Sequence, residues 1–384
     1  MITRIYRLPL GLSVILLLTG CWDKIEIEDR GFIVATAIDQ APERKLKVTY
    51  QMVVPKAMQN KSSEGGPEEP FFNLSAVANT LFLATRDMSN TSSRPPYLEH
   101  NRVILLSEKL SREGDIGNVL DLLVRDSETR RAAKVMVTKG EAAQILSIRP
   151  RLESLPAQYI DSTAENPRKT GSITPPTNIG DVHRFLLRKA SFAMPVIAGF
   201  PDDHKIMLSG AAVFHGKDNR LRGFLNAEET TSRNLITGSI KSTAIETKLE
   251  DDYIVYEVKK LKRRIRANTA SPRHPVFDID IETQGNLGES HLELSVLDHS
   301  LIQKSEQAFE RKIVQMTEEV IRKLQSEYKS DILGLGEFLD KNHHRIWEQI
   351  EPDWEDGEQL FSNCEVRVHV RVEAAFVGSI LKTE

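Results

Sequence analysis

An apolar run from Leu8 to Leu18, broken only by Pro9, Gly11 and Ser13, follows a start that carries Arg4 and Arg7 and no acid. Cationic residues and then an apolar stretch are the layout of a secretory leader. A helix needs roughly 20 apolar residues to cross the hydrocarbon of a bilayer, and this run stops well short of that, so residues 1–20 are expected to be cleaved as a lipoprotein signal peptide. The run ends in Leu18-Thr19-Gly20-Cys21, an apolar residue, two small ones and a cysteine, which is a lipobox. The small residues let an extended chain lie in a peptidase cleft, and the thiol can be alkylated by a diacylglyceryl group. The mature chain is therefore expected to begin at Cys21, with S-diacylglycerol and an N-acyl chain on that residue. Two or more acyl chains, at about 0.8 kcal/mol per buried methylene, hold a protein far more firmly than one. Whatever folds must do so after Cys21, on the outer face of the cell membrane.

The cysteine count narrows the fold further, because the chain has only two. With Cys21 lipidated, Cys364 has no partner inside the chain, so no disulfide framework is available. Cys364 opens a strand-like segment and reads as a small buried apolar residue rather than a nucleophile. Stability has to come from a core, and 40% hydrophobic with 28% charged residues is enough for one. Removing Arg4 and Arg7 takes the formal charge from −4 to −6, a balance that does not suggest nucleic acid as a partner.

Periodicity predicts a strand over Gly31–Ile38 and an antiparallel partner over Leu46–Val54, where Val48, Tyr50, Met52 and Val54 alternate with polar residues. Residues 59–70 read as an exposed loop. Val77, Leu81, Ala84 and Met88 fall at helical spacing, Val103–Leu106 reads as a doubly covered strand, and Asp115 can cap a helix carrying Ile116, Val119, Leu120 and Leu123. With Ala133, Val135 and Val137 this makes a strand, helix, strand unit, closed by a helix over Glu141–Ile148. A proline-rich stretch follows. Beyond it, Leu208–Phe214 and Leu221–Leu225 flank the turn residues 216–219, and Asn226 with Glu229 forms a capping-box start to a helix ending near Gly238. Strands are expected around Phe277–Ile281 and His291–Leu297. Then comes a long amphipathic helix with Ile302, Phe309, Ile313, Met316, Val320 and Leu324 on one stripe, and a last strand with Val366, Val368, Val370 and Val372 inside. These elements read as an α+β chain of two or three domains, with the first boundary near Gly199.

The chain has no glycine-rich phosphate loop, no H-E-x-x-H and no paired C-x-x-C. His343 and His344 are adjacent, so on a helix their rings point apart; no metal site and no cofactor are expected. Asp278, Asp280 and Glu282 share one strand face, which a carboxylate-pair hydrolase could use and which a solvated face explains as well. Lys259, Lys260, Lys262, Arg263, Arg264 and Arg266 form a basic run that reads as an exposed strand edge, or as a patch for an anionic bilayer.

Several spaced motifs together resemble the Ger(x)C, or GerAC-like, family of C-subunit lipoproteins of spore nutrient-germinant receptors. They are Gly20-Cys21-Trp22-Asp23 with Glu26–Gly31; His100–Leu105 with Leu120-Asp121 and Arg125-Asp126; Gly210–Phe214 with Leu221 and Gly223; and Asp331–Gly336 with Pro352, Trp354 and Phe361. The order is kept along nearly the whole mature chain, although Ala37 stands where glycine is usual and Pro95-Pro96 precede His100. The resemblance implies three successive α+β domains, expected at 21–199, 200–270 and 271–384, each a small mixed or antiparallel sheet flanked by helices. It also implies a non-catalytic subunit, required for nutrient-triggered germination, in complex with a membrane-embedded A subunit and a permease-like B subunit at the inner spore membrane. Trp22 and Asp23, next to the lipid, are candidates for sorting or for docking on a partner. A solute-binding lipoprotein of a transporter, with a deep cleft between two similar lobes, and a tethered cell-wall hydrolase are the alternatives.

Overall fold

The computed structural model describes residues 30–59, 69–125, 129–166, 169–290 and 299–376. The described strands form two sheets. The larger contains β1 (Gly31–Gln40), β2 (Leu46–Val53), β3 (Phe71–Ala78), the short β4 (Pro96–Tyr97), β5 (Val103–Ser107), β6 (Lys134–Thr138), β7 (Phe192–Phe200), β8 (Lys205–His215) and β9 (Arg220–Leu225). Its order is β3-β2-β1-β5-β6-β7-β8-β9, with β4 paired to the start of β1. β1, β5, β6 and β7 run parallel, as doubly covered strands should. The smaller sheet, β10-β11-β12-β13, is formed by Thr243–Leu249, Asp252–Asn268, Val276–Ser290 and Glu365–Phe376.

Helices lie on both faces of the large sheet. The short α1 (Pro55–Gln59) follows β2, and among the described elements the helices on the two faces are α2 (Leu81–Ser89), α3 (Glu108–Glu113), α4 (Ile116–Arg125), α5 (Ala142–Ile145), α6 (Pro156–Thr163) and α7 (Ile179–Arg188). One face packs Tyr50, Ile104, Val135 and Phe214 under α2, α4 and α7. The other packs Ala37, Leu105, Met136 and Ile197 against α5 and α6. Of the remaining helices, α8 (Ala227–Thr237) and α9 (His299–Lys323) serve the small sheet, and α10 (Leu335–Asn342), α11 (His344–Trp354) and α12 (Leu360–Asn363) close its end. The predicted stripe of α9 is what it buries: Phe309, Ile313, Met316 and Val320 meet Tyr256, Ile279 and Ile281. The same core takes in Ala193, Ala211, Val213 and Leu225 from the large sheet, so the two sheets share apolar packing.

The α+β class read from the sequence is the one adopted. The expected boundary near Gly199 lies within β7, which pairs antiparallel with β8, and β8 and β9 continue the large sheet. The boundary at 270 falls in the turn between β11 and β12, which pair along most of their length. Alternation within single strands cannot reveal which strands pair, and here both crossings are hairpins whose two arms belong to one sheet. A second difference is β3. Val77 belongs to this strand and not to the helix after it, which starts at Leu81 with the Thr80 hydroxyl accepting from the Leu83 N–H. β3 is an edge strand with Phe72 and Val77 exposed, so it lacks the alternation that marks a half-buried strand. The expected strand over His291–Leu297 and most of the expected loop at 59–70 lie outside the described residues.

Candidate functional site

Leu18, Thr19, Gly20, Cys21, Trp22 and Asp23 all lie outside the described residues. The described body begins with Arg30, whose guanidinium sits 4.0 Å over the Tyr97 ring, and with Gly31, whose N–H donates to the Pro95 carbonyl. The unusual Pro95-Pro96 pair is thus the seat of the incoming chain. Proline fixes φ and donates no hydrogen bond, which suits the short parallel pairing of Gly31 and Phe32 with Pro96 and Tyr97. His100 packs edge-on against Phe32, and Asn101, fully buried, donates to the Thr36 hydroxyl at 2.9 Å.

The acids considered as a carboxylate pair do share one face of β12, and each has a base beside it. Asp280 lies 3.1 Å from Arg266, Asp278 lies 3.2 Å from His369, and Glu282 is in register with Lys262 and Arg371. The face is an interleaved charge grid on the side of the small sheet away from α9. Lys262, Arg264 and Arg266 of the basic run belong to this grid, whereas Arg263, in register with Ile281, lies on the opposite face of β11. From Lys259 onward β11 also forms a sheet edge, since β10 pairs only as far as Val258. His344 bonds Asp340 on an exposed helix face, and among the described residues no group of three His, Cys, Asp or Glu is placed to hold a metal. Cys364 is buried and donates to the Phe361 carbonyl, and burial pushes its thiol up to about 12.

The most constrained polar cluster surrounds Asp331. Its Oδ1 accepts from the backbone N–H of Leu333, Gly334 and Leu335 at 3.0–3.2 Å, and its Oδ2 accepts from Gly336 N–H at 2.6 Å and from the Trp354 indole N–H at 3.0 Å. The carboxylate thereby satisfies the orphan donors that begin α10. The two glycines of the motif serve the same turn. Gly334 has φ +80°, which favours glycine. At Gly336 a Cβ would lie 2.8 Å from both the Trp347 and Trp354 rings. Glu355 accepts from the Asp331 N–H and bonds Ser191 at the start of β7, so the cluster ties the large sheet to the end of the small one. Burial, then the neighbouring Asp331 charge, pushes the Glu355 carboxyl up to about 7.

A groove of about 940 Å³ runs along this seam. Its walls come from α7, the start of β7, the end of α8, β11 and the Asp331 turn, with Phe185, Phe192, Leu333 and Trp347 as apolar lining and Arg233 and Arg263 among its cations. The two bodies it separates differ in size and strand order, unlike the paired lobes expected of a solute binder. Arg233, Ser191 and Glu355 were not singled out by sequence. Arg233 sits among Thr230, Thr231, Ser232 and Asn234, all buried, and a helix that buries polar residues has no amphipathic stripe to show which side faces a site.

Comparison with known proteins decides the family. A model described as spore germination protein N-terminal domain matches residues 23–198, and one described as spore germination B3/GerAC-like, C-terminal, matches residues 209–377. The chain belongs to the GerAC-like spore germination family. Spore germination protein B3 of Bacillus subtilis (strain 168) is 28% identical, covering 96% of this chain and 97% of its own length. Spore germination protein A3 of the same organism is 27% identical, covering 93% and 94%. The crystal structure of the GerBC protein aligns with TM-score 0.61 and 25% identity over 88% of this chain and 96% of that one. The junction between the two models falls at 198–209, and hydrogen bonding of the large sheet runs across it. Within the family frame, the quoted motifs acquire structural roles: Asp331–Gly336 builds the α10 turn, and Gly223 leaves room for the Tyr328 ring, 2.6 Å from where its Cβ would be.

Proposed function

We propose that this chain is the C subunit of a spore nutrient-germinant receptor, a lipoprotein held by S-diacylglycerol and an N-acyl group on Cys21 to the outer face of the inner spore membrane. It works there without catalysis, beside a membrane-embedded A subunit and a permease-like B subunit. The observation that carries the reading is the pair of family models, which together span residues 23–198 and 209–377. Two features support it. The lipobox Leu18-Thr19-Gly20-Cys21 supplies a cysteine that can carry the lipid. The stretch from Cys21 to Gly31 reaches at most about 35 Å when extended, which keeps the folded body close to the bilayer and to membrane-embedded partners.

Replacing Cys21 by alanine tests the proposal. The expected result is a protein found in the soluble fraction of spores and a loss of response to nutrient, with germination by non-nutrient means unaffected. A normal nutrient response from protein released from the membrane would overturn it. Trp22→Ala and Asp23→Ala in the lipidated chain should impair sorting or recovery with the A and B subunits, and unchanged sorting and co-purification would assign these two residues to a passive tether.

A further inference from the structure

The seam groove contains two guanidinium groups without a carboxylate partner. Of the arginines that line it, Arg184 is 3.0 Å from Asp181 and Arg188 is 3.6 Å from Glu337. Arg233 and Arg263 have no Asp or Glu within ion-pair distance among the described residues. Arg233 is largely enclosed. It donates from Nε to the Ile332 carbonyl at 3.2 Å and from one Nη to the Asn234 side chain at 3.0 Å, which leaves three of its five N–H donors unused. The acid nearest in chemistry, Asp331, is consumed by four backbone N–H groups and an indole. Arg263 rises from β11, its stem 3.3 Å from where a Cβ on Gly238 would sit, and its charge is felt at Arg233. Burial, then the Arg263 charge, lowers the Arg233 guanidinium to about 10. Glu337, already paired with Arg188 and Lys341, acts on Arg263 from beyond ion-pair distance. Arg233 has no such carboxylate acting on it, and an anion between the two guanidiniums removes the cost of their repulsion.

We infer that Arg233 and Arg263 form a binding site for a small organic carboxylate whose apolar body lies along Phe185, Leu187 and Trp347. The size of the groove suits a ligand of that kind. A guanidinium matches two carboxylate oxygens in one plane. The groove also carries Glu337, Asp340, Glu355 and Asp356, so a doubly charged phosphate is repelled more strongly than a singly charged carboxylate. The apolar wall, in turn, rewards a hydrocarbon body that inorganic ions lack.

Calorimetric titration of the full chain in detergent with benzoate, benzamide, inorganic phosphate and hexaglutamate tests this. Benzoate should bind, with benzamide at least tenfold weaker because it offers the same ring without the charge. Arg263→Gln should weaken benzoate at least fivefold, read where its melting curve matches the parent. Arg263→Lys should fall between the two, since an ammonium keeps the charge and loses the planar fork. Arg233→Gln should weaken it further, read only where its melting curve matches the parent. Absence of benzoate binding, equal binding of benzamide, tighter binding of phosphate, or affinity indifferent to Arg263→Gln would each overturn the inference. Binding of hexaglutamate with no binding of benzoate would overturn it too, by making the pair a dock for an acidic protein segment.

Discussion

Glu355 joins three parts of the molecule through one carboxyl group: the Asp331 backbone, Ser191 before β7, and the end of α11. Its pKa of about 7 in the fold lies above the ordinary value of 4.5, so the folded state binds its proton more tightly than the unfolded chain does. The stabilisation from this group is fully present below about pH 4.5 and is lost as pH rises through 7. At about 1.4 kcal/mol per pH unit of difference, the loss is at most about 3–4 kcal/mol. Stability measured by urea unfolding at a series of pH values should therefore fall between pH 5 and 8. In Glu355→Gln, which keeps an oxygen to accept from Asp331, that part of the slope should flatten. A slope unchanged by the substitution would place the pH dependence elsewhere. Nothing in the local sequence around Glu355 announces this. Neighbouring Asp353 and Asp356 look the same on paper, and only the packing of Ser191 from far along the chain separates them.

At the level of elements, legibility followed burial geometry. β13 and the core half of β12 alternate cleanly because one face packs under α9 and the other meets water. α4 shows its apolar stripe because it lies flat on the large sheet. β3 was hidden because it sits at an edge with Phe72 and Val77 exposed, and the order of the strands was hidden because pairing is set between segments rather than within them. The start of α10 stands between these cases. Its motif residues were visible as family landmarks, but the reason for them needed the turn. Asp331→Asn tests that reason. An amide presents an N–H₂ where either the Gly336 N–H or the backbone donors of residues 333–335 need an acceptor, so at least one buried donor goes unpaired. With hydrogen bonds to a charged group contributing about 1.5–3 kcal/mol each, the variant should lose about 3 kcal/mol of stability. The amide N–H₂ strands fewer donors at Oδ2, which serves Gly336 and Trp354, than at Oδ1, which serves three N–H groups, so Trp354 should lose its acceptor and tryptophan fluorescence should change. A variant as stable as the parent would mean that the carboxylate charge is dispensable to the turn.

On the scale of the whole molecule, the shared core and the seam were the parts least visible in advance. The apolar residues that β7–β9 lend to the second core look, in sequence, like any other strand interior, and Arg233 and Arg263 are thirty positions apart until α8 and β11 bring them to one groove. The same coupling makes the two sheets mechanically dependent. Tyr328, in the π-helical turn after α9, lays its ring on Gly223 of β9 and donates its hydroxyl to the Phe224 carbonyl at 3.0 Å. A side chain at 223 would strike that ring at 2.6 Å, and the ring cannot swing away without giving up its hydrogen bond. Gly223→Val should cost about 1–3 kcal/mol, the usual penalty of overpacking. Tyr328→Ala should lose stability in its own right by removing the ring and the bond. Because both changes act on one contact, the double variant should be less destabilised than the sum of the singles, by an interaction of about 1 kcal/mol or more. Unfolding should also remain a single calorimetric transition in the parent, since the core runs through both sheets. Strict additivity would show that the sheets do not meet at this contact, and two separate transitions in the parent would show that they fold apart.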